Sequence, residues 1–246
     1  MIDKIKEKIN NLLSEKVEKK QTKENGVVYT PLFLVNDMMD TLPYEVWTNP
    51  DLKWLDPSNG FGTFFSVIVE RLMKGLEQWE PNEKLRYKHI LENMLYACEL
   101  QKEYAYKFKQ IFDPENIYDI NIYVGSYLEE GFDKHMKEIW GIDKWDCVIM
   151  NPPYQKLKEG NKKSQQLWDK FVIKTISQLA EGGYLVSVNP SGWRNVSGRF
   201  KYIQNLLKSK QMLYLEMHSV KDGQKTFKMH TPYDFYCLKN LPNDED

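Results

Sequence analysis

The clearest chemical potential in this 246-residue chain lies in Asn151-Pro152-Pro153-Tyr154. The preceding run, Trp145 to Met150, ends in apolar residues and reads as a buried strand, with Cys147 to Met150 as the strand proper. Two consecutive prolines stop any strand, because neither can donate to a ladder. A polar Asn and an aromatic Tyr are thereby held on stiff backbone at a strand's carboxyl end. In open α/β sheets that edge is where ligands bind.

Two further acidic positions read as strand ends. Asp56-Pro57-Ser58-Asn59-Gly60-Phe61-Gly62-Thr63-Phe64 follows Lys53-Trp54-Leu55 and leads into an apolar helix. Gly60 and Gly62 let the turn backbone approach a ligand. The Asp56 charge would repel a phosphate, so the turn suits a ligand carrying an ammonium or hydroxyl. A Gly-x-Gly turn alone is equally compatible with an ordinary strand-to-helix connection. Glu99 ends the next strand, Met94 to Cys98, where such folds hold a ribose hydroxyl pair; a solvated helix-start acid has the same appearance.

The tetrapeptide suits one reaction in particular, a methyl transfer to an aromatic amine. Such a nitrogen is a poor nucleophile, because its lone pair is spread into the ring. Acceptors aimed at its two hydrogens, the Asn151 side-chain oxygen and the Pro152 carbonyl, would localise the lone pair and stabilise the charge that develops. Tyr154 offers a flat face on which a base can stack. No strong general base is needed before transfer, so the lack of a nearby His or Cys is no objection.

The elements that must position these residues can be read from periodicity. Residues 2–20 form an amphipathic helix, followed by a polar break at 21–26. Val27 to Pro31 is extended, and Thr30 can cap a helix from Pro31 to about Leu42. After the glycine turn, Phe65 to Met73 is a strongly apolar helix, and residues 82–93 form another. A helix spans Lys102 to Phe112, Asn121 to Val124 is a third strand ending in Gly125-Ser126-Tyr127, and residues 132–140 are a short helix. Leu167 to Leu179 is a helix ended by Gly182-Gly183, and Tyr184 to Val188 is strand five. Residues 189–194 read as a loop, Phe200 to Lys208 as a helix, Met212 to Met217 as strand six and Tyr233 to Leu238 as a returning strand seven. The expectation is an α/β, Rossmann-like fold with a mostly parallel seven-stranded sheet, an antiparallel last strand and helices on both faces. Residues 1–25 form an N-terminal helix and linker, and 26–246 a single catalytic domain without a separate target-recognition domain.

Composition narrows the classes. Hydrophobic residues make up 41% of the chain, enough for a sizeable core. Cys98, Cys147 and Cys237 are far apart and form no CxxC, which with four scattered His argues against a metal site or a disulfide framework. The first twenty residues lack the apolar stretch of a signal peptide, and no later run is long enough to span a membrane. A soluble intracellular protein is expected. The net charge is −1, yet residues 155–228 carry 14 Lys and Arg against 5 Asp and Glu, so a basic half begins just after Tyr154. That is either a solvated face or a phosphate-contacting surface.

Taken together, Tyr29-Thr30-Pro31, Asp56 to Phe64, Glu99, Asn151 to Tyr154 and Gly182-Gly183-Tyr184-Leu185 resemble, in that order, the S-adenosylmethionine-dependent adenine-N6 DNA methyltransferases of restriction-modification systems and phages. The resemblance covers about residues 26–240. It implies S-adenosyl-L-methionine as cofactor, DNA with a flipped adenine as substrate, no metal, and the cytoplasm of a bacterium or phage-infected cell. The cofactor would be held by Tyr29, Thr30, Pro31, Asp56, Pro57, Ser58, Gly60, Gly62, Thr63, Phe64, Glu99, Leu100, Ser126, Tyr127 and Asn151. Asn151, Pro152, Pro153 and Tyr154 would be catalytic. Tyr154, Phe227 (which reads as lying at a hairpin), Lys156 and Lys158 would contact the substrate. Two departures stand out. Ser126-Tyr127 replaces the family's usual Asp-Phe, which implies weaker cofactor binding. Recognition would fall to loops 155–166 and 189–199, or to a specificity partner. A protein glutamine-N5 or RNA adenine methyltransferase, or a silent subunit assisting a nucleic-acid-binding partner, are the alternative readings.

Overall fold

A computed structural model describes residues 2–18, 29–154, 166–195, 198 and 200–243. It opens with α1 (Ile2–Glu18), α2 (Leu32–Asp40) and the single turn α3 (Glu45–Thr48). The first strand, β1 (Trp54–Asp56), runs through the glycine turn into α4 (Thr63–Gly75). There follow α5 (Glu83–His89), β2 (Leu95–Glu99), α6 (Lys102–Phe112), β3 (Asn121–Val124), α7 (Glu130–Glu138) and β4 (Trp145–Met150). The remainder is α8 (Trp168–Gln178), β5 (Leu179–Pro190), α9 (Lys201–Lys208), β6 (Lys210–Met217), α10 (Val220–Phe227) and β7 (Tyr233–Pro242).

The strands form one sheet in the order β3-β2-β1-β4-β5-β7-β6. The first five in this order are parallel, and β7 is antiparallel to both β5 and β6. The carboxyl ends of β1 to β5 therefore share one edge. Strand order reverses between β1 and β4, and a crevice opens where the connections on either side diverge.

Side chains alternate across the sheet with period two. In β4, Cys147 and Ile149 face one core with α1, α2, α4 and α6, while Val148 and Met150 face the other with α7, α8 and α9. Every β4 residue from Cys147 to Met150 is buried, as expected of a parallel strand covered on both faces. The N-terminal helix is not a separate appendage, since Ile5 and Ile9 bury themselves against α4 and α6.

Several elements differ from the sequence reading. Thr30 does not cap α2: Pro31 is the capping residue, with no side-chain cap bond, and the Thr30 hydroxyl is used elsewhere. The helix expected over 82–93 splits into α5 and a π-helical turn at Ile90–Met94. Gly182-Gly183 lie inside β5, where the pairing with β4 shifts register between Trp145 and Cys147. Gly182 supplies the positive φ of 73° found in this irregular stretch. Ser191–Arg194 form a 3-10 turn rather than an open loop. Neither α3 nor α10 was anticipated. The two are short, and α10 is fixed by a Ser219–Asp222 capping box. Val27 and Val28 lie outside the described residues.

Candidate active site

The Asp56 turn is built by internal hydrogen bonds. The Asp56 Oδ1 accepts from the Ser58 N–H at 3.0 Å, Asn59 N–H donates to the Cys98 carbonyl, and Gly62 N–H donates to the Asn59 carbonyl. Gly60 N–H donates to the Glu99 Oε2 at 2.7 Å, while Glu99 Oε1 takes the Gln101 N–H at 2.8 Å. With these N–H groups committed, the turn is no phosphate cradle. The two glycines have different tasks. Gly60 has a φ of 58° and nothing within 4 Å of where a Cβ would stand, so it faces open space. Gly62 has a φ of 92°, and its Cβ would meet the Phe108 and Phe112 rings at 2.6 Å. Gly62 thus serves the packing of α4 on α6, not ligand approach.

Asp56 is completely buried, and its Oδ2 has no hydrogen-bond partner among the described residues. Burial pushes its carboxyl up to about 8; the Ser58 N–H opposes the rise and the nearby Glu99 charge adds to it. An orphaned buried carboxyl, a second acid and the open space at Gly60 suit a cationic or hydroxyl-bearing ligand. An S-adenosylmethionine sulfonium and ribose fit that donor set.

Asn151 is tied in from two directions. Its Nδ2 donates to the Thr30 hydroxyl at 3.0 Å, and its backbone carbonyl accepts from the Ser58 hydroxyl at 3.1 Å. The amide nitrogen is thus directed to Thr30, which makes Oδ1 the acceptor end. The same Tyr29–Pro31 segment reaches the turn, because Tyr29 stacks on Phe61 with ring centroids 5.1 Å apart. Thr30, Asp56, Ser58, Gly60, Glu99 and Asn151 are therefore brought together. Pro57, Thr63 and Phe64 flank them on the turn and in the first turn of α4.

Other expected contacts fall elsewhere. Tyr127 points into the core: its hydroxyl donates to Gln178 Oε1 at 2.9 Å and lies 3.1 Å from the Thr175 hydroxyl, while its ring packs on Phe132 and Phe171. The ring is thus held between α7 and α8 rather than at the sheet edge. Ser126 sits at the edge, its hydroxyl accepting the Leu128 N–H and its own N–H donating to the Glu129 carboxylate. Leu100 is strongly exposed next to Glu99. Lys156 and Lys158 lie outside the described residues.

Tyr154 was expected to present an open face, yet it is only 6% exposed. Its hydroxyl is buried without a partner among the described residues, and burial together with the neighbouring Tyr233 raises its pKa. Phe227 is the last residue of α10, not part of a hairpin. Its ring meets Tyr233 edge-on at 4.8 Å, and His218 stacks on Tyr233 at 4.2 Å. Tyr233 thus touches Phe227 and lies near enough to Tyr154 for its charge to be felt there. Neither Tyr233 nor His218 was singled out in the sequence, and only the pairing of β6 with β7 brings them here. Among the described residues no group of His, Cys, Asp and Glu could hold a metal, and no helix is long and apolar enough to cross a membrane.

Methylases are among the chain's relatives. An adenine-specific methylase of Mycoplasma pneumoniae, itself uncharacterised, is 28% identical over 69% of this chain and 56% of its own length. The type II methyltransferase M.BstVI of Geobacillus stearothermophilus is 27% identical over 65% of this chain and 32% of its own. The chain thus spans between a third and just over half of these relatives. A Listeria monocytogenes structure described as a class I S-adenosylmethionine-dependent methyltransferase superposes with a TM-score of 0.64 at 12% identity, covering 100% of this chain and 70% of its own, which makes the sheet a class I methyltransferase fold. The family model for the Eco57I restriction-modification methylase matches residues 63–225, from just after the glycine turn through Asn151–Tyr154 and on into α10. The chain belongs to the Eco57I restriction-modification methylase family.

Proposed function

We propose that this chain transfers a methyl group from S-adenosyl-L-methionine to the N6 amino group of adenine in DNA. The observation that carries the reading is the clamp on Asn151. Thr30 fixes its amide nitrogen and Ser58 its carbonyl, so its side-chain oxygen stands as a set acceptor beside the acid-lined turn. The relatives' names, an adenine-specific methylase and a type II methyltransferase, support the same chemistry.

When bound, the cofactor supplies the electrophilic methyl. Asp56 and Glu99 would hold its cationic and ribose parts, with Gly60 leaving room and Tyr29–Pro31 on one side. Asn151 Oδ1 and the Pro152 carbonyl accept the two N–H groups of the adenine amine, drawing its lone pair out of the ring and stabilising the charge that develops on nitrogen. The methylated nitrogen would be strongly acidic and would lose its surplus proton to water after the transfer, so neutral acceptors suffice. Tyr154 stacks on the flipped base. Because Tyr154 is buried, the residues around it must part before the base can seat, so base entry includes a conformational step. Tyr233, backed by Phe227, would stand beside the base. DNA and a specificity subunit are the partners, and the cytoplasm the compartment, that this reading implies.

The test is incubation of the purified chain with methyl-labelled S-adenosylmethionine and genomic DNA, RNA or protein. Label recovered as N6-methyladenine in DNA is the expected result. Label in RNA or in glutamine side chains with DNA unmodified overturns the proposal. Absence of cofactor binding by calorimetry assigns the chain instead to a silent supporting role.

A further inference from the structure

A cavity lies on the same sheet edge, on the opposite side of the tetrapeptide from the acid-lined turn. Its volume is about 520 Å³, within the range of small-ligand sites. Gln166, Trp168, Ser191, Arg194, Asn195 and Phe200 line it, with Pro190, Gly192, Thr231 and Pro232 completing the walls. In sheet order β4 stands between β1 and β5, so Asn151–Tyr154 separates the Asp56 turn from this cavity. The tetrapeptide and the cavity adjoin directly: Leu167, between Gln166 and Trp168, donates its N–H to the Tyr154 carbonyl at 3.2 Å.

The chemistry of the lining is opposite to that of the turn. Among the described residues its lining holds one guanidinium, paired on its far side with Asp234, and no carboxylate, so it suits an anionic or neutral ligand better than a sulfonium. Arg194 is held from behind: its Nε lies 3.1 Å from the buried Asp234 Oδ2, and Gln204 Nε2 donates to its backbone carbonyl. Phe200 and Trp168 form an aromatic wall, with centroids 5.1 Å apart. The Gln166 carboxamide oxygen is buried with no partner among the described residues, an acceptor that a ligand donor would satisfy. Anion-binding guanidinium, aromatic wall and unsatisfied carboxamide together make the recognition set of a nucleotide.

We propose that this cavity receives the nucleotide adjoining the target adenine on the same strand, with its phosphate on Arg194, its base against Phe200, and Gln166 and Asn195 at the base edge. The assignment rests on the reading of Asn151–Tyr154 as a nucleobase site. It gives this catalytic fold a means of selecting the base next to the one it modifies.

The test is fluorescence anisotropy with a labelled random-sequence single-stranded DNA oligonucleotide, on three variants of the full chain. Phe200→Ala removes the wall. Arg194→Gln combined with Asp234→Asn removes the ion pair as a unit, so that no buried carboxylate is left unpaired. Asn195→Ala probes the base edge with little packing cost. The first two should each weaken oligonucleotide binding about tenfold, the scale of one stacked base or phosphate contact, while calorimetric affinity for S-adenosylmethionine stays within twofold. In DNA from cells expressing Asn195→Ala, the base preference around N6-methyladenine should relax at one flanking position and no other. Binding within twofold of the parent in both of the first two variants overturns the assignment, as does inorganic phosphate competing as well as the oligonucleotide, which reduces the cavity to an anion site. A parent chain that binds oligonucleotide through these residues yet methylates no adenine leaves the cavity assigned and overturns the methyl-transfer reading instead.

Discussion

Asn151 is useful because its orientation is decided. An amide can present oxygen or nitrogen to a base, and only the oxygen can accept from an amine. The Thr30 hydroxyl, 121 residues earlier in the chain, accepts from Nδ2, an arrangement that presents Oδ1 as the acceptor end. Asn151→Ala should lower turnover about 100-fold or more, the usual scale for losing one preorganised transition-state partner, with cofactor affinity changed less than about threefold. Thr30→Val keeps the shape and removes the hydroxyl, so kcat should fall about tenfold without a comparable loss of cofactor affinity. Single-turnover methylation and calorimetry on both variants check the pair. Equal losses of turnover and cofactor binding for Thr30→Val would place Thr30 against the cofactor rather than behind Asn151.

At the scale of elements, the strand-to-helix turn is where backbone conformation and packing meet. Gly62 joins β1 to α4 in a left-handed conformation, at a φ of 92°, with aromatic rings of α6 where a Cβ would go. Gly62→Ala should therefore destabilise the fold by about 2–4 kcal/mol, combining backbone strain with overpacking. Gly60→Ala should cost about 1–2 kcal/mol, because its Cβ meets open space and only the φ penalty remains. Chemical denaturation of the two variants measures the difference. Equal losses would mean that Phe108 and Phe112 yield freely. The motif reads as two equivalent glycines in sequence, and only the placement of α6 separates the packing glycine from the one beside the ligand space.

For the whole molecule, the site holds a buried acid that folding alone does not satisfy. The Asp56 carboxyl, raised to about 8 in the fold, is ordinarily near 4 in an unfolded chain. Between those values the folded state binds a proton that the unfolded state does not, so this group's contribution is full below about pH 4 and is lost as pH rises through about 8. Without cofactor, the chain should lose thermal stability progressively from about pH 4 to about pH 8 and level off above it, and Asp56→Asn should flatten that loss while abolishing cofactor binding. A cationic ligand favours the ionised form, so S-adenosylmethionine affinity in the parent chain should rise with pH through about 8 and level off above it. Scanning calorimetry and titration calorimetry across this range test both limbs. A cofactor affinity independent of pH would show that Asp56 is already ionised in the empty site.

The sequence by itself determined the strand ends, because apolar runs stopped by Asp56, Glu99 and the prolines after Asn151 can form only buried strands with polar tips. It also determined the fold class, since strands alternating with amphipathic helices close only as a covered, mostly parallel sheet. Only the tertiary structure decided the rest. The Thr30–Asn151 and Ser58–Asn151 bonds span 121 and 93 residues, the Asp234–Arg194 pair crosses from β7 to the turn after β5, and Phe227 at the end of α10 meets Tyr233 at the start of β7. Local pattern carries no record of such pairings, because hydrophobic periodicity fixes which face a residue takes but not which distant residue meets it there. Burial is decided at the same level. Tyr127 and Tyr154 are both aromatic residues just beyond strand ends, yet one is anchored in the helix layer of α8 and the other stands at the tetrapeptide beside Tyr233.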